Sequence, residues 1–148
     1  MAFLLGLISF YLLAWLAYTL THATLLAGAM QGVIATTIMF TMIGIAHFAK
    51  PEKLEAMIPE RWPYKRAANY ISGAAEILLG IGLLFEATRT YAAWGLILLL
   101  IAIFPANIYE AVHKRSIYTI SRLFFQPAYI AWLWWFCLSG CSRQCFFS

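Results

Sequence analysis

Five long apolar runs, at about residues 3–21, 29–48, 67–85, 90–109 and 123–140, constrain this chain more than any other feature. Each is close to the ~20 residues that an α-helix needs to cross the hydrocarbon of a bilayer. The runs are continuous and do not alternate, which favours helices over the strands of a membrane barrel. Composition points the same way: 64% of residues are hydrophobic and 11% charged, against about 45–50% and about 25% in soluble domains. Polar groups are too few to cover this chain in water, so a lipid bilayer is its expected solvent and first partner. The expected fold is all-α, a polytopic helical membrane bundle in one compact domain, with no convincing internal repeat.

The run at 67–85 is interrupted by one carboxylate, Glu76. An ionised acid facing lipid at mid-bilayer costs roughly 2.5–3.5 kcal/mol on insertion scales. Protonating an isolated Glu at pH 7 costs a similar ~3.7 kcal/mol. Neither form is cheap alone, so neighbouring groups must decide its state. On a 3.6-residue helix Asn69, Ser72, Gly73, Glu76 and Gly80 share one stripe, with Ile71 and Leu78 opposite. Small residues admit another backbone and polar ones can bond the carboxyl, so the stripe is expected to face protein.

On the second run, Thr36, Thr37, Phe40, Ile43, Gly44 and His47 share a face. In an antiparallel hairpin, His47 falls near one membrane surface while Thr37 to Thr41 fall nearer the depth of Glu76. A direct His47–Glu76 contact then looks stretched by about two turns, or ~10 Å. Pro105 frees a backbone carbonyl in the fourth run, and Asn107 presents an amide. The expectation is therefore a polar layer of His47, Asn69 and Asn107, and beneath it a layer of Glu76 with Thr37 and Thr41. Glu76 reads either as a hydrogen-bonded packing residue or as a proton or ligand site. His47 can equally serve as an interfacial anchor, Pro105 as a kink and Asn107 as glue between helices. The aromatic run YIAWLWWF (129–136) reads as an interface belt. No phosphate loop, haem motif, catalytic triad or metal-ligand set appears, so no catalytic residue and no metal are assigned.

Net charge is +4, but no basic stripe marks a nucleic-acid partner. The positive charges read as topology. Five crossings put Lys50, Lys53, Arg61, Lys65, Arg66, Lys114, Arg115 and Arg122 on one face, and Arg89 and Arg143 on the other. Eight against two makes the first face cytoplasmic, with the N-terminus inside and the C-terminus outside a bacterial inner membrane. Within KPEKLEAMIPERWPYKR (50–66), Pro51 suits the first turn of a short helix with Leu54, Met57 and Ile58 on one side. Pro59 and Pro63 stop it, and Trp62 and Tyr64 anchor at the headgroups.

The first run lacks a charged flank, yet AGA at 27–29 resembles a cleavage site, so residues 1–28 are either a retained helix or a signal peptide. Residues 29–140 form the main domain, and 141–148 a tail. Cys137, Cys141 and Cys145 cluster at or beyond the last helix. Pairing along an intact helix is geometrically poor, and no fourth ligand for zinc stands near.

GIAHFAKPEKLEAMIPERWP, YISGAAEILLGIGLL, TRTYAAWGLILLLIAIFPANIYEAV and RLFFQPAYIAWLWWF together resemble the DoxX-like membrane proteins over about residues 31–137. The pattern falls on His47, Phe48, Pro51, Pro59, Ser72, Gly73, Glu76, Gly80, Arg89, Pro105, Ala106 and Asn107. The resemblance implies a four-helix membrane core, to which residues 1–28 add a helix. It also implies a non-catalytic accessory or anchoring subunit of a membrane redox system, with a redox enzyme as candidate partner; no cofactor is assigned, and a quinone is the candidate. A transporter using Glu76, and a structural or assembly factor, are the alternatives; oligomers are allowed but not demanded.

Overall fold

The structure, a computed structural model, describes residues 2–21, 30–56, 58–60, 62–114 and 117–139. The described residues form helices and no strand: α1 (Ala2–Thr21), α2 (Met30–Ala49), α3 (Pro51–Glu55), α4 (Lys65–Gly82), α5 (Glu86–Lys114) and α6 (Ile117–Leu133). The end of α6 winds on as a π-helical turn, Trp134–Ser139. Each long helix lies on one apolar run. Helix α5 continues past the run's end at 109 to Lys114, because Glu110, Ala111 and Val112 offer no breaker. Pro51 opens α3, where its missing N–H is no loss, and α3 ends at Glu55, ahead of Pro59.

Helices Met30–Ala49 and Glu86–His113 are long and apolar enough to cross a membrane, and Leu5–Leu20 and Leu123–Leu138 are shorter apolar helices. The outward surface carries large apolar side chains, among them Leu12, Leu20, Ile71, Leu78, Leu98 and Phe124, each more than half exposed. The cleavage-like triplet at 27–29, Met57, Arg61, Arg115, Arg143, Cys141 and Cys145 lie outside the described residues.

Helix α2 packs most extensively on α4, α4 on α5 and α5 on α6, and the π turn at the end of α6 returns to α2. Glycine makes the α2–α4 approach close. A Cβ on Gly44 would stand 2.7 Å from the Gly73 carbonyl oxygen, and one on Gly73 would stand 2.5 Å from His47 Cβ. Val33, Phe40, Leu83, Leu96, Ile97, Leu100 and Leu133 fill the interior. Helix α1 lies along α2, with Leu7 buried against Ala35 and Met39.

Two polar devices finish the frame. Arg89, 3% exposed, folds over the C-terminal end of α4. Its Nε donates to the Leu83 carbonyl at 2.9 Å and its guanidinium also reaches the Leu84 carbonyl. A cation there satisfies carbonyls that the helix itself leaves unbonded and opposes the negative end of its dipole. Trp132 Nε1 donates to Thr36 Oγ1 at 3.0 Å, tying α6 to α2. The aromatic stretch 129–136 is thus split. Trp132 meets Tyr11 edge-on and Phe136 meets it at a tilt, all three half-buried, whereas Trp134 and Trp135 are exposed as a belt would be.

Candidate functional site

The last turn of α2 and the first two turns of α4 build one polar cluster. Asn69, 1% exposed, donates from Nδ2 to the His47 carbonyl at 3.0 Å, which leaves its Oδ1 as an acceptor. His47 Nδ1 lies 2.7 Å from that Oδ1 and so carries the proton. Ser72 Oγ donates to the Asn69 carbonyl at 2.9 Å and stands 3.5 Å from His47 Nδ1. Phe48 stacks on Tyr70 beside the cluster, their ring centroids 5.4 Å apart, and holds the two helix ends together.

The other ring nitrogen, His47 Nε2, faces Glu76 Oε2 at 3.4 Å, and Glu76 is 3% exposed. With Nδ1 already a donor, this contact is attractive when a proton stands on Nε2, giving an imidazolium beside a carboxylate, or on the carboxyl beside a neutral imidazole; either arrangement would leave the pair neutral, the form a low-dielectric interior tolerates.

Helices α5 and α6 supply a second polar pair. Asn107 Nδ2 donates to Gln126 Oε1 at 2.9 Å, and Gln126 Nε2 donates to the Leu100 carbonyl. Pro105 sits inside α5 and withdraws the backbone N–H that the Ile101 carbonyl would otherwise receive. The buried Gln126 amide serves the backbone immediately beside that gap.

Both pairs line a single partly open cavity of about 230 Å³. Met39, Phe40 and Ile43 of α2, Leu100 and Ile103 of α5 and Tyr129 of α6 make its largely apolar walls. Leu54, Ile58, Pro59 and Trp62, from the segment between α2 and α4, also line it. Its exposed lining residues, Trp62, Ala102 and Pro105, mark where it meets the surface. Among the described residues no group of His, Cys, Asp and Glu could hold a metal ion.

Set against the expected layers, the structure rearranges them. His47 and Glu76, expected ~10 Å apart, are in contact. Side chains lean toward the N-terminus of their own helix. In this antiparallel pair His47 therefore leans deeper and Glu76 leans back to meet it. Asn107 bonds Gln126 across α5 and α6, while His47 and Asn69 bond each other across α2 and α4. The Glu76–threonine layer does not form. Thr37 Oγ1 and Thr41 Oγ1 are buried without a hydrogen-bond partner among the described residues, and Thr41 lies against Gly80, one turn beyond Glu76. Gln126 escaped the sequence reading, although a Gln ahead of a Pro inside an apolar run was the signal available.

A family model described as a domain of unknown function (DUF8561) matches residues 36–137, a span that contains the whole polar cluster and the cavity walls of α2, α4, α5 and α6. No curated protein and no solved structure matches the chain.

Proposed function

The chain belongs to the family of the domain of unknown function DUF8561, and we propose that it is a multi-pass integral membrane protein whose cavity holds a small lipid-soluble molecule. In this reading it acts as a non-catalytic accessory subunit of a quinone-linked membrane redox system, and its motifs are those of a DoxX-like four-helix membrane core. The carrying observation is the cavity: about 230 Å³ with largely apolar walls, lined also by the His47–Glu76 pair and by the Asn107–Gln126 amides. Pockets for flat apolar ligands pair such walls with a few placed polar groups. The membrane setting is supported by the apolar outward surface, far larger than a soluble monomer leaves uncovered. An inside location for the 50–66 loop is supported by the Lys and Arg bias.

The reading is tested by purifying the protein in native lipid discs and extracting them for mass spectrometry. A quinone retained in stoichiometric amount, and lost on substituting Glu76→Gln, is the expected result. Discs from wild-type protein that carry neither a quinone nor a stoichiometric partner would overturn it. Cysteine labelling in intact cells checks the topology, with residue 53 reacting only after permeabilisation.

A further inference from the structure

Resting on the membrane setting of that reading but not on a quinone, we infer that the cavity opens sideways into the hydrocarbon and that an acyl chain of a neighbouring bilayer lipid occupies it. Helix α5 turns one stripe outward at helical spacing: Leu98, Ile101, Ala102, Pro105, Ile108 and Val112 are all exposed. Ala102 and Pro105 are its two compact members, and these two also line the cavity. The opening therefore lies where an otherwise bulky lipid-facing stripe drops to a methyl group and a pyrrolidine ring. Ala102 stands about twelve residues before Lys114, or ~18 Å along the helix. In a hydrocarbon layer ~30 Å thick that is the depth of acyl chains, not of headgroups. Trp62, the third exposed lining residue, precedes Lys65 and Arg66 at the basic end of α4. The mouth thus runs from headgroup level inward, along the direction that lipid chains take.

The lining suits an occupant without polar atoms. Met39, Phe40, Ile43, Leu100 and Ile103 give it an apolar surface. Of the polar lining groups, His47 is hydrogen-bonded to Asn69 and Asn107 to Gln126, so a hydrocarbon chain strands none of these four. An apolar cavity of roughly 150 Å³ holds the six carbons of benzene. By proportion about 230 Å³ takes about nine carbons, a segment of one chain and not a whole lipid. An unfilled cavity would forfeit the dispersion contacts of its lining atoms. Chains beside the mouth also outnumber any solute dissolved among them, and mass action then favours the lipid.

The experiment places the detergent-purified full chain in discs of synthetic phosphatidylcholine, doped with a phosphatidylcholine that carries a diazirine in the middle of one acyl chain. After irradiation, peptide mass spectrometry compares the buried wall residues Met39 and Leu100 with the outward Leu12 and Ile71. In the wild type both sets should be labelled. Ala102→Trp obstructs the mouth from the lipid side, and labelling of the walls should fall at least about tenfold while Leu12 and Ile71 keep theirs. Pro105→Leu, a second substitution at the mouth, should act in the same direction. Leu78→Trp, an equally bulky change on the exposed face of α4, should leave both sets unchanged. Walls unlabelled in the wild type, as in a water-filled cavity, or labelled equally in both mouth variants, would overturn the inference. Labelled walls together with native discs that hold no quinone would support it and sink the quinone reading, and a native-disc quinone with unlabelled walls would do the reverse.

Discussion

His47 Nε2 faces Glu76 Oε2 at 3.4 Å, from helices whose partner residues run in opposite directions. The contact brings together two residues that are each expensive to bury, held in register by Asn69 on the far side of the imidazole. Cutting it from either side has a defined consequence.

Glu76→Leu and His47→Phe should each destabilise the protein by more than the two together. Removing one partner of a buried pair takes its compensation from the other at a cost of up to about 3–5 kcal/mol, whereas replacing both with apolar groups can be close to neutral. A double-mutant cycle on thermal unfolding in lipid discs reads the coupling, at about 2–4 °C per kcal/mol for a chain of this size. Strict additivity would mean the contact carries no energy.

Gly73→Ala should lower stability by about 1–3 kcal/mol, because its Cβ meets His47 Cβ at 2.5 Å and the Gly44 carbonyl oxygen at 3.1 Å. The helices must part, which also loosens the His47–Asn69 bond. Gly6→Ala is the control. Nothing lies within 4 Å of its added methyl, so helix propensity alone acts and stability should rise by about 0.5–1 kcal/mol.

Arg89→Leu should cost about 1–3 kcal/mol, since the Leu83 and Leu84 carbonyls at the end of α4 lose their donor. Arg89→Lys should recover little of this. One ammonium group on a longer stem does not reproduce a guanidinium that serves two carbonyls at once. Hydrogen exchange at the C-terminal turn of α4 should rise in both variants.

Trp132→Phe and Thr36→Val should each cost about 1 kcal/mol through the same bond between α6 and α2. Their combined effect should fall short of the sum, because the Trp132–Thr36 bond is lost only once, while Thr36→Val also gives up the bond from Thr36 Oγ1 to the Gly32 carbonyl at 2.6 Å. Equal and additive losses would place the effect in packing instead.

Cys137 is fully buried in the π turn. With Cys141 and Cys145 replaced by Ser, alkylation of the folded protein by a bulky maleimide should be slower than that of the unfolded chain by several orders of magnitude. Burial of the thiol sets that difference.

The sequence by itself determined the helices and the inward stripe on α4. Continuous apolar runs of about twenty residues favour helices over strands, and a 3.6-residue period places Asn69, Gly73, Glu76 and Gly80 on one face without knowledge of any partner. It could not determine which groups those residues meet. Periodicity reports a face and a depth along one helix, whereas contact depends on a second helix, on how far glycine lets the two approach and on which way each side chain leans. Those terms brought His47 onto Glu76, turned Asn107 to Gln126 and left a cavity between the two pairs. Only the tertiary structure decided them, because each is a relation between helices more than twenty residues apart in the chain or joined across different faces.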